Sequence, residues 1–239
     1  MPNLMLRLAY VGSGYSGWQV QPGVPTVQGT LELALERILG ERVRITGCCR
    51  TDAGVHAQDY VANFRTDRRI DEGRLLRALN ALLPKDIGVY EVRAVPEDFN
   101  ARYSVWGKVY LYRIWNAPTR NPFLYPFSWQ VPVDLNLQLV EDALGLLSGE
   151  HDFRGFAKLE EEKNTSLRLE AWMEVRGELV EIRFRATHFL RYMVRRITAA
   201  VVRVGVGKMD LPELEGYLKG RHCPFTAPAR GLTLERVLL

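Results

Sequence analysis

Apolar periodicity spells the same order of elements twice along this chain, and that repetition limits the fold more than any other feature. The first half opens with Leu4, Leu6, Leu8 and Tyr10 in alternation, which predicts a strand over residues 4–11, followed by a loop rich in Gly and Pro. Val27, Leu31, Ala34, Leu35, Ile38 and Leu39 then recur at helical spacing, with Thr26 as N-cap and Gly40 as terminator. Strands are expected over residues 42–47 and 60–65, joined by a polar connection. Asp71 caps a second helix with Leu75, Leu76, Leu79, Leu82 and Leu83 inward, Pro84 stops it, and residues 87–95 close the half as a strand.

The second half repeats this order. It predicts a strand over residues 108–115, a helix capped at Asp134 and running to Ser148, and strands over residues 168–176 and 179–187. A helix over residues 189–204, a short one over 211–219 and a last strand over 232–238 complete it. Each half therefore reads β-α-β-β-α-β, the split βαβ or ferredoxin-like unit. The expected fold class is α+β, a tandem duplication of two such units over residues 1–99 and 100–239, with mainly antiparallel sheets joined across a central cleft. A chain of 239 residues that is 47% hydrophobic can fill cores of that size.

Charge and cysteine usage narrow the partners. The net charge of +4 permits a nucleic-acid partner, and arginine greatly outnumbers lysine, which suits bidentate phosphate contacts and stacking on bases. Cys48 and Cys49 are adjacent, Cys223 stands alone, and no C-x-x-C pair occurs, so neither a disulfide framework nor a zinc site is expected. The apolar start is broken early by Arg7 and glycine, which argues against a signal peptide or a membrane span and for a cytoplasmic protein.

Gly12-Ser13-Gly14-Tyr15-Ser16-Gly17 matches G-x-G-x-x-G after a strand, half of a dinucleotide-binding fingerprint. The other half fails, because residues 18–25 intervene before the helix whose N-terminus would receive a pyrophosphate. No nucleotide cofactor is expected. The reading adopted is a mobile loop with Tyr15 and Trp18 exposed and able to contact RNA.

The polar connection in the first half runs Gly47-Cys48-Cys49-Arg50-Thr51-Asp52-Ala53-Gly54-Val55-His56-Ala57. Such a segment between buried strands is either a turn whose Asp bonds its own backbone, the commoner case, or a reactive site. It resembles the G-x-G-R-T-D-A-G-V-H-A signature of the bacterial TruA family of tRNA pseudouridine synthases. The resemblance extends through Tyr15 and Gly17-Trp18-Gln19, residues 79–84 and 99–104, Lys108-Val109-Tyr110-Leu111-Tyr112, residues 149–153, residues 189–195 and Gly231-Leu232. It thus covers nearly the whole chain. Cys48-Cys49 where the family often has alanine, Lys108 for a usual arginine, Arg191-Tyr192 in a stretch the family fills variably, and the densely charged residues 158–166 are departures.

The resemblance implies a cofactor-free and metal-free homodimeric isomerase that converts uridine to pseudouridine at positions 38, 39 and 40 in the anticodon stem-loop of tRNA. By residue match, Asp52 is the nucleophile, Tyr110 packs on the target base, and Arg50 and Arg195 are the basic residues around the carboxylate. The residue types fit the chemistry. A carboxylate can hold sugar or uracil while the base turns, a guanidinium keeps it ionised, and an aromatic face permits rotation. Extrusion of the nucleotide needs anchorage elsewhere. Arg65, Arg68, Arg69, Arg74 and Arg77, with Arg191, Arg196 and Arg203, are the candidate contacts to the RNA backbone.

Two rivals belong to other classes. One is a noncatalytic RNA-binding protein on a duplicated RRM-like scaffold, although no RNP-type aromatic motif is present. The other is a nucleosidase or glycoside hydrolase with paired carboxylates, for which Asp59 is the only acid near Asp52 in sequence.

Overall fold

The computed structural model describes residues 1–159 and 164–239; residues 160–163, inside the charged stretch 158–166, lie outside the described residues. Two compact units form, Met1–Trp106 with Leu234–Leu239, and Gly107–Thr233. The boundary expected after residue 99 therefore moves to Trp106, and the end of the chain is added to the first unit. Backbone pairing explains the addition, since Trp106 N–H donates to Leu238 O at 3.0 Å and Val237 N–H to the Asp59 carboxylate at 3.0 Å.

In the first unit β1 (Asn3–Tyr10) is a central strand and is apolar at nearly every position. Burial on both faces accounts for the near-continuous apolar run. The strands β2 (Thr46–Gly47), β3 (His56–Arg65) and β4 (Ile87–Val95) complete its antiparallel sheet in the order β4-β1-β3, with β2 beside β3. Register places Leu6 between Ala62 and Val92.

Caps bound the two helices of this unit. In α1 (Val27–Leu39) Thr26 Oγ1 accepts from Gly29 N–H at 3.3 Å and Gly40 ends the helix at φ +70°. In α2 (Glu72–Leu82) Asp71 Oδ1 accepts from Arg74 N–H at 2.8 Å. Leu75, Leu79 and Leu83 face inward, whereas Leu82, expected inside, is 46% exposed, because Leu83 takes the inward place one turn after Leu79.

The strand expected over residues 42–47 shrinks to β2. Side chains of α1 replace the missing ladder: Glu32 Oε1 accepts from Ile45 N–H at 2.9 Å and Gln28 Nε2 donates to Ile45 O at 3.0 Å. The backbone polar groups of Ile45 are thus satisfied without a strand.

The second unit carries β5 (Gly107–Trp115), β6 (Trp129–Gln130), β7 (Gly149–Asp152), β8 (Ser166–Arg176) and β9 (Leu179–Ala186). Its sheet runs β5-β9-β8-β7 with antiparallel neighbours, and β6 pairs in parallel with β5. The helices α3 (Leu137–Leu147), α4 (Met193–Gly205) and α5 (Leu211–Leu218) pack on one another, and α3 lies on β8. The last strand, β10 (Leu232–Leu238), starts here and ends in the first unit.

Two helix starts differ from expectation. The N-cap of α3 is Asn136, whose Oδ1 accepts from Leu139 N–H at 3.2 Å, and not Asp134. The helix expected from residue 189 begins at Met193, because Tyr192 has φ +63° and no α-helix passes through a left-handed residue. Among the described residues no helix is long and apolar enough to cross a membrane.

Candidate active site

Residues 48–55 lead from β2 into β3, and their main chain is tied on several sides. Trp18 N–H donates to Thr51 O at 3.2 Å, Gly54 N–H to Tyr15 O at 3.4 Å, and Cys48 N–H to Val61 O at 2.9 Å. Beneath the loop, the Tyr60 hydroxyl donates to the Cys49 carbonyl, and the Tyr10 hydroxyl pairs with Thr51 Oγ1 at 2.8 Å. Trp18 stacks on Tyr60 with centroids 4.0 Å apart and planes 25° from parallel. Burial pushes both tyrosine pKa values well up, so these hydroxyls stay neutral.

The expected mobile loop is therefore corrected. Tyr15 and Trp18 are buried, at 9% and 3% exposure, and their segment forms the wall against which residues 51–55 rest. The glycines serve that contact. A Cβ on Gly12 would lie 1.9 Å from Val55 O, and Gly17, at φ +92°, would place one 2.5 Å from Thr51 O. Gly12–Gly14 is a 3₁₀ turn, and the next helix starts only at Val27, whose N–H donates to Gly17 O at 3.2 Å, so the glycines do not open a helix as those of a dinucleotide fingerprint do. Gly12 N–H donates to His56 Nδ1 at 3.1 Å, which places the proton of the neutral ring on Nε2.

On this fixed backbone stand Arg50, exposed, and Asp52, half-buried. The turn is closed by main chain, with Asp52 O accepting from Val55 N–H at 3.1 Å. Asp59, the acid of the glycosidase reading, is committed elsewhere. It accepts from Arg7 at 3.0 and 2.6 Å, from the Tyr90 hydroxyl at 2.5 Å and from Val237 N–H. Burial opposes its charge, yet these bonds outweigh burial and its pKa falls.

In the second unit, Tyr110 on β5 is buried and meets Phe189 edge-on, with ring centroids 4.9 Å apart. Tyr112, two residues on and on the same face, is fully buried and donates to Pro228 O at 2.8 Å. A Cβ at Gly231 would lie 2.6 Å from its ring, so Tyr112 is a packing residue. Arg195 is pinned, its Nε donating to Ala227 O at 2.9 Å while Ala227 N–H returns a bond to Arg195 O at 3.1 Å. Arg196 Nη1 donates to Ala157 O at 2.7 Å, and burial pulls its pKa down.

The candidate backbone contacts divide. Arg65 donates to Glu97 O at 2.6 Å and Arg68 lies 3.9 Å from Glu41, whereas Arg69, Arg74 and Arg77 are exposed. Arg203 lies over the Phe225 ring at 3.9 Å. Arg191, Arg195 and Arg196 converge on the Tyr192 ring, at 5.5, 5.1 and 5.8 Å from its centroid. Beside Tyr192 opens a pocket of about 820 Å³ that Arg154, Lys158, Arg195, Arg196 and His222 help to line. Among the described residues no three His, Cys, Asp or Glu side chains are placed to hold a metal ion.

Comparison with known proteins decides the family. The family model described as tRNA pseudouridine synthase matches residues 8–104 and 143–238. The tRNA pseudouridine synthase A of Aquifex aeolicus is 56% identical over 241 residues, covering 100% of both chains. The chain belongs to the TruA family of tRNA pseudouridine synthases. Proteins of the same name from Ruminiclostridium cellulolyticum and Dictyoglomus thermophilum are each 38% identical over 99% of both chains. The chain is accordingly an isomerase that converts uridine in tRNA to pseudouridine.

Within this synthase, the sequence signature marked residues 47–57 but not the parts that hold them. Tyr10, Trp18 and Tyr60 read as ordinary alternating sheet residues or as loop aromatics, and only the packed structure reveals them as one stack under the loop. The pocket residues Arg154, Lys158 and His222 were also missed. They come from two separate segments, and the available signals are Arg154 directly following the family-like stretch at residues 149–153 and Lys158 opening the densely charged stretch 158–166.

Proposed function

We propose that this synthase acts on uridines 38, 39 and 40 of the tRNA anticodon stem-loop, with Asp52 as nucleophile. Tyr110 supports the turning base, and Arg50 and Arg195 are the basic groups at the carboxylate. The observation that carries this reading is the clamped loop. Its main chain is tied at residues 48, 49, 51, 54 and 55, while the half-buried carboxylate of Asp52 rises from it. A nucleophile gains from such preorganisation, because a misplacement of about 1 Å can cost roughly 10²-fold in rate.

Isomerisation breaks the bond from sugar C1′ to uracil N1, makes one from C1′ to C5, releases the C5 proton to solvent and returns a proton from solvent to N1. Arg195, with its Nε fixed at Ala227, has the planar orientation that a charge-assisted hold on an anion requires. Tyr110 offers a ring that tolerates rotation of a base across it. The finer fold reading, two ferredoxin-like units in tandem, is supported by two helices and the strand order β4-β1-β3 with β2 beyond in the first unit. The working species is read as a cytoplasmic homodimer with tRNA as its partner.

The experiment is tritium release from tRNA labelled at uracil C5. An isomerase frees the label and leaves the base attached, a nucleosidase frees the base, and an RNA-binding protein frees neither. Mapping the product to positions 38–40 tests the site.

A further inference from the structure

The pocket beside Tyr192 is built from three segments of the second unit that the backbone locks together. Lys158 N–H donates to Arg191 O at 3.0 Å, Cys223 N–H to Gly155 O at 2.9 Å, and Ala227 N–H to Arg195 O at 3.1 Å. Its walls are thus preformed, and a volume near 820 Å³ lies in the range that takes a nucleotide-sized ligand. Four of the side chains lining it, Arg154, Lys158, Arg195 and Arg196, are cationic, and His222 adds a fifth basic group. Among the described residues that line it there is no carboxylate. Arg154 pairs with Asp152 at 2.7 Å. Arg196 bonds a carbonyl, and its buried Nε has no hydrogen-bond partner among the described residues.

Tyr192 is the second observation. It is the one non-glycine residue with positive φ among those described, a strained conformation that glycine would relieve. The chain instead places an aromatic ring there, half-buried on the pocket wall, with three guanidinium groups within 6 Å of its centroid.

We propose that this pocket binds one nucleotide of the substrate RNA, its phosphate held by Lys158, Arg154 and Arg196 and its base laid against the ring of Tyr192. The inference rests on the tRNA-modifying function proposed above and adds a subsite to it. Tyr192 is a positioning residue here: it seats the RNA beside Arg195 and takes no part in bond making. The preformed walls explain why strain is tolerated at residue 192, since the ring must stand where the left-handed backbone puts it.

The test uses the full-length protein and a fluorescent anticodon stem-loop RNA, with affinity measured across a potassium chloride series and melting temperature recorded in parallel. Lys158→Ala, at an exposed position, should bind several-fold more weakly and lose roughly 0.7–0.9 from the slope of log affinity against log salt, one phosphate contact's worth. Tyr192→Leu should lose roughly five- to hundredfold in affinity, and Tyr192→Phe should keep the wild-type value. Tyr192→Gly should bind as poorly as the leucine variant yet melt no lower than it, because glycine relieves the backbone. Wild-type affinity and slope in folded Lys158→Ala and Tyr192→Leu would overturn the subsite and leave the proposed function standing. Failure of the wild-type protein to bind or isomerise the RNA would instead strike the proposed function itself.

Discussion

Asp52 and Asp59 lie seven residues apart in sequence and are treated in opposite ways by the fold. Asp59 sits on β3 and spends its carboxylate on structure, taking two bonds from Arg7, one from Tyr90 and one from a backbone N–H. Around Asp52 the main chain of the loop is secured by glycine contacts, buried tyrosine hydroxyls and a stacked tryptophan, and the residue itself is half-buried. The two acids thus differ in their settings: Asp59 lies on a regular strand among groups that bond its oxygens, whereas Asp52 lies on a loop whose backbone is clamped from several sides. This also removes the paired-carboxylate hydrolase as a rival, since Asp59 is not available as its acid.

Disturbing the clamp should give the larger effect on turnover. Gly12→Ala drives a Cβ into Val55 O, so the turn at Gly12 and the loop must separate, and the rate of pseudouridine formation should fall by roughly 10²-fold while RNA affinity changes little. A single-turnover rate within a few-fold of wild type would show that the loop does not need this contact.

Disturbing the bonds of Asp59 should instead appear in stability. Asp59→Ala leaves Arg7 and Tyr90 without their acceptor and should lower the unfolding free energy by about 2–4 kcal/mol in urea titrations, with the folded fraction still active. Loss of turnover without loss of stability would reverse the comparison. Acid gives the same test with a definite sign. The pKa of Asp59 is depressed in the folded state, so its contribution is present above the unfolded carboxylate value, about 3.9, and is lost as pH falls through the lower folded value. Asp59→Asn should remove that part of the acid dependence, seen as a flatter melting-temperature profile below about pH 4.

The smallest effect is expected from the exposed arginines of the first unit. Arg69→Ala should weaken tRNA binding modestly and reduce the salt slope by roughly 0.7–0.9 if Arg69 meets one phosphate. Unchanged affinity and slope would make it a solvated charge. Arg65, by contrast, is already engaged with Glu97 O.

The helices and long strands were legible because their caps and periodicities are local. Thr26, Gly40 and Asp71 mark their helix ends as expected, and the strand over residues 87–95 is found where the alternation placed it. The misreadings arise where distant residues decide. Residues 42–45 lack a strand because side chains of α1 satisfy Ile45, and α4 starts late because Tyr192 is held in a left-handed conformation. The loop at Gly12 was read as mobile from its glycines, whereas the absent Cβ atoms let two backbones touch. At the site, the residue motif singles out Asp52 and Arg195 as candidates, but nothing in the alternation along β5 separates Tyr110 from Tyr112. Packing separates them, since Tyr112 is consumed by Pro228 and Gly231.

The most direct test of Asp52 as nucleophile is single-turnover tritium release from C5-labelled anticodon stem-loop RNA by Asp52→Asn. RNA affinity and melting temperature should be measured on the same preparation. The amide keeps the shape of the side chain and loses the nucleophilic charge. The account predicts RNA affinity and melting temperature close to wild type, with no label released and no pseudouridine formed. Release of label by the pure, folded variant at a measurable fraction of the wild-type rate would contradict it and move the nucleophile to another group.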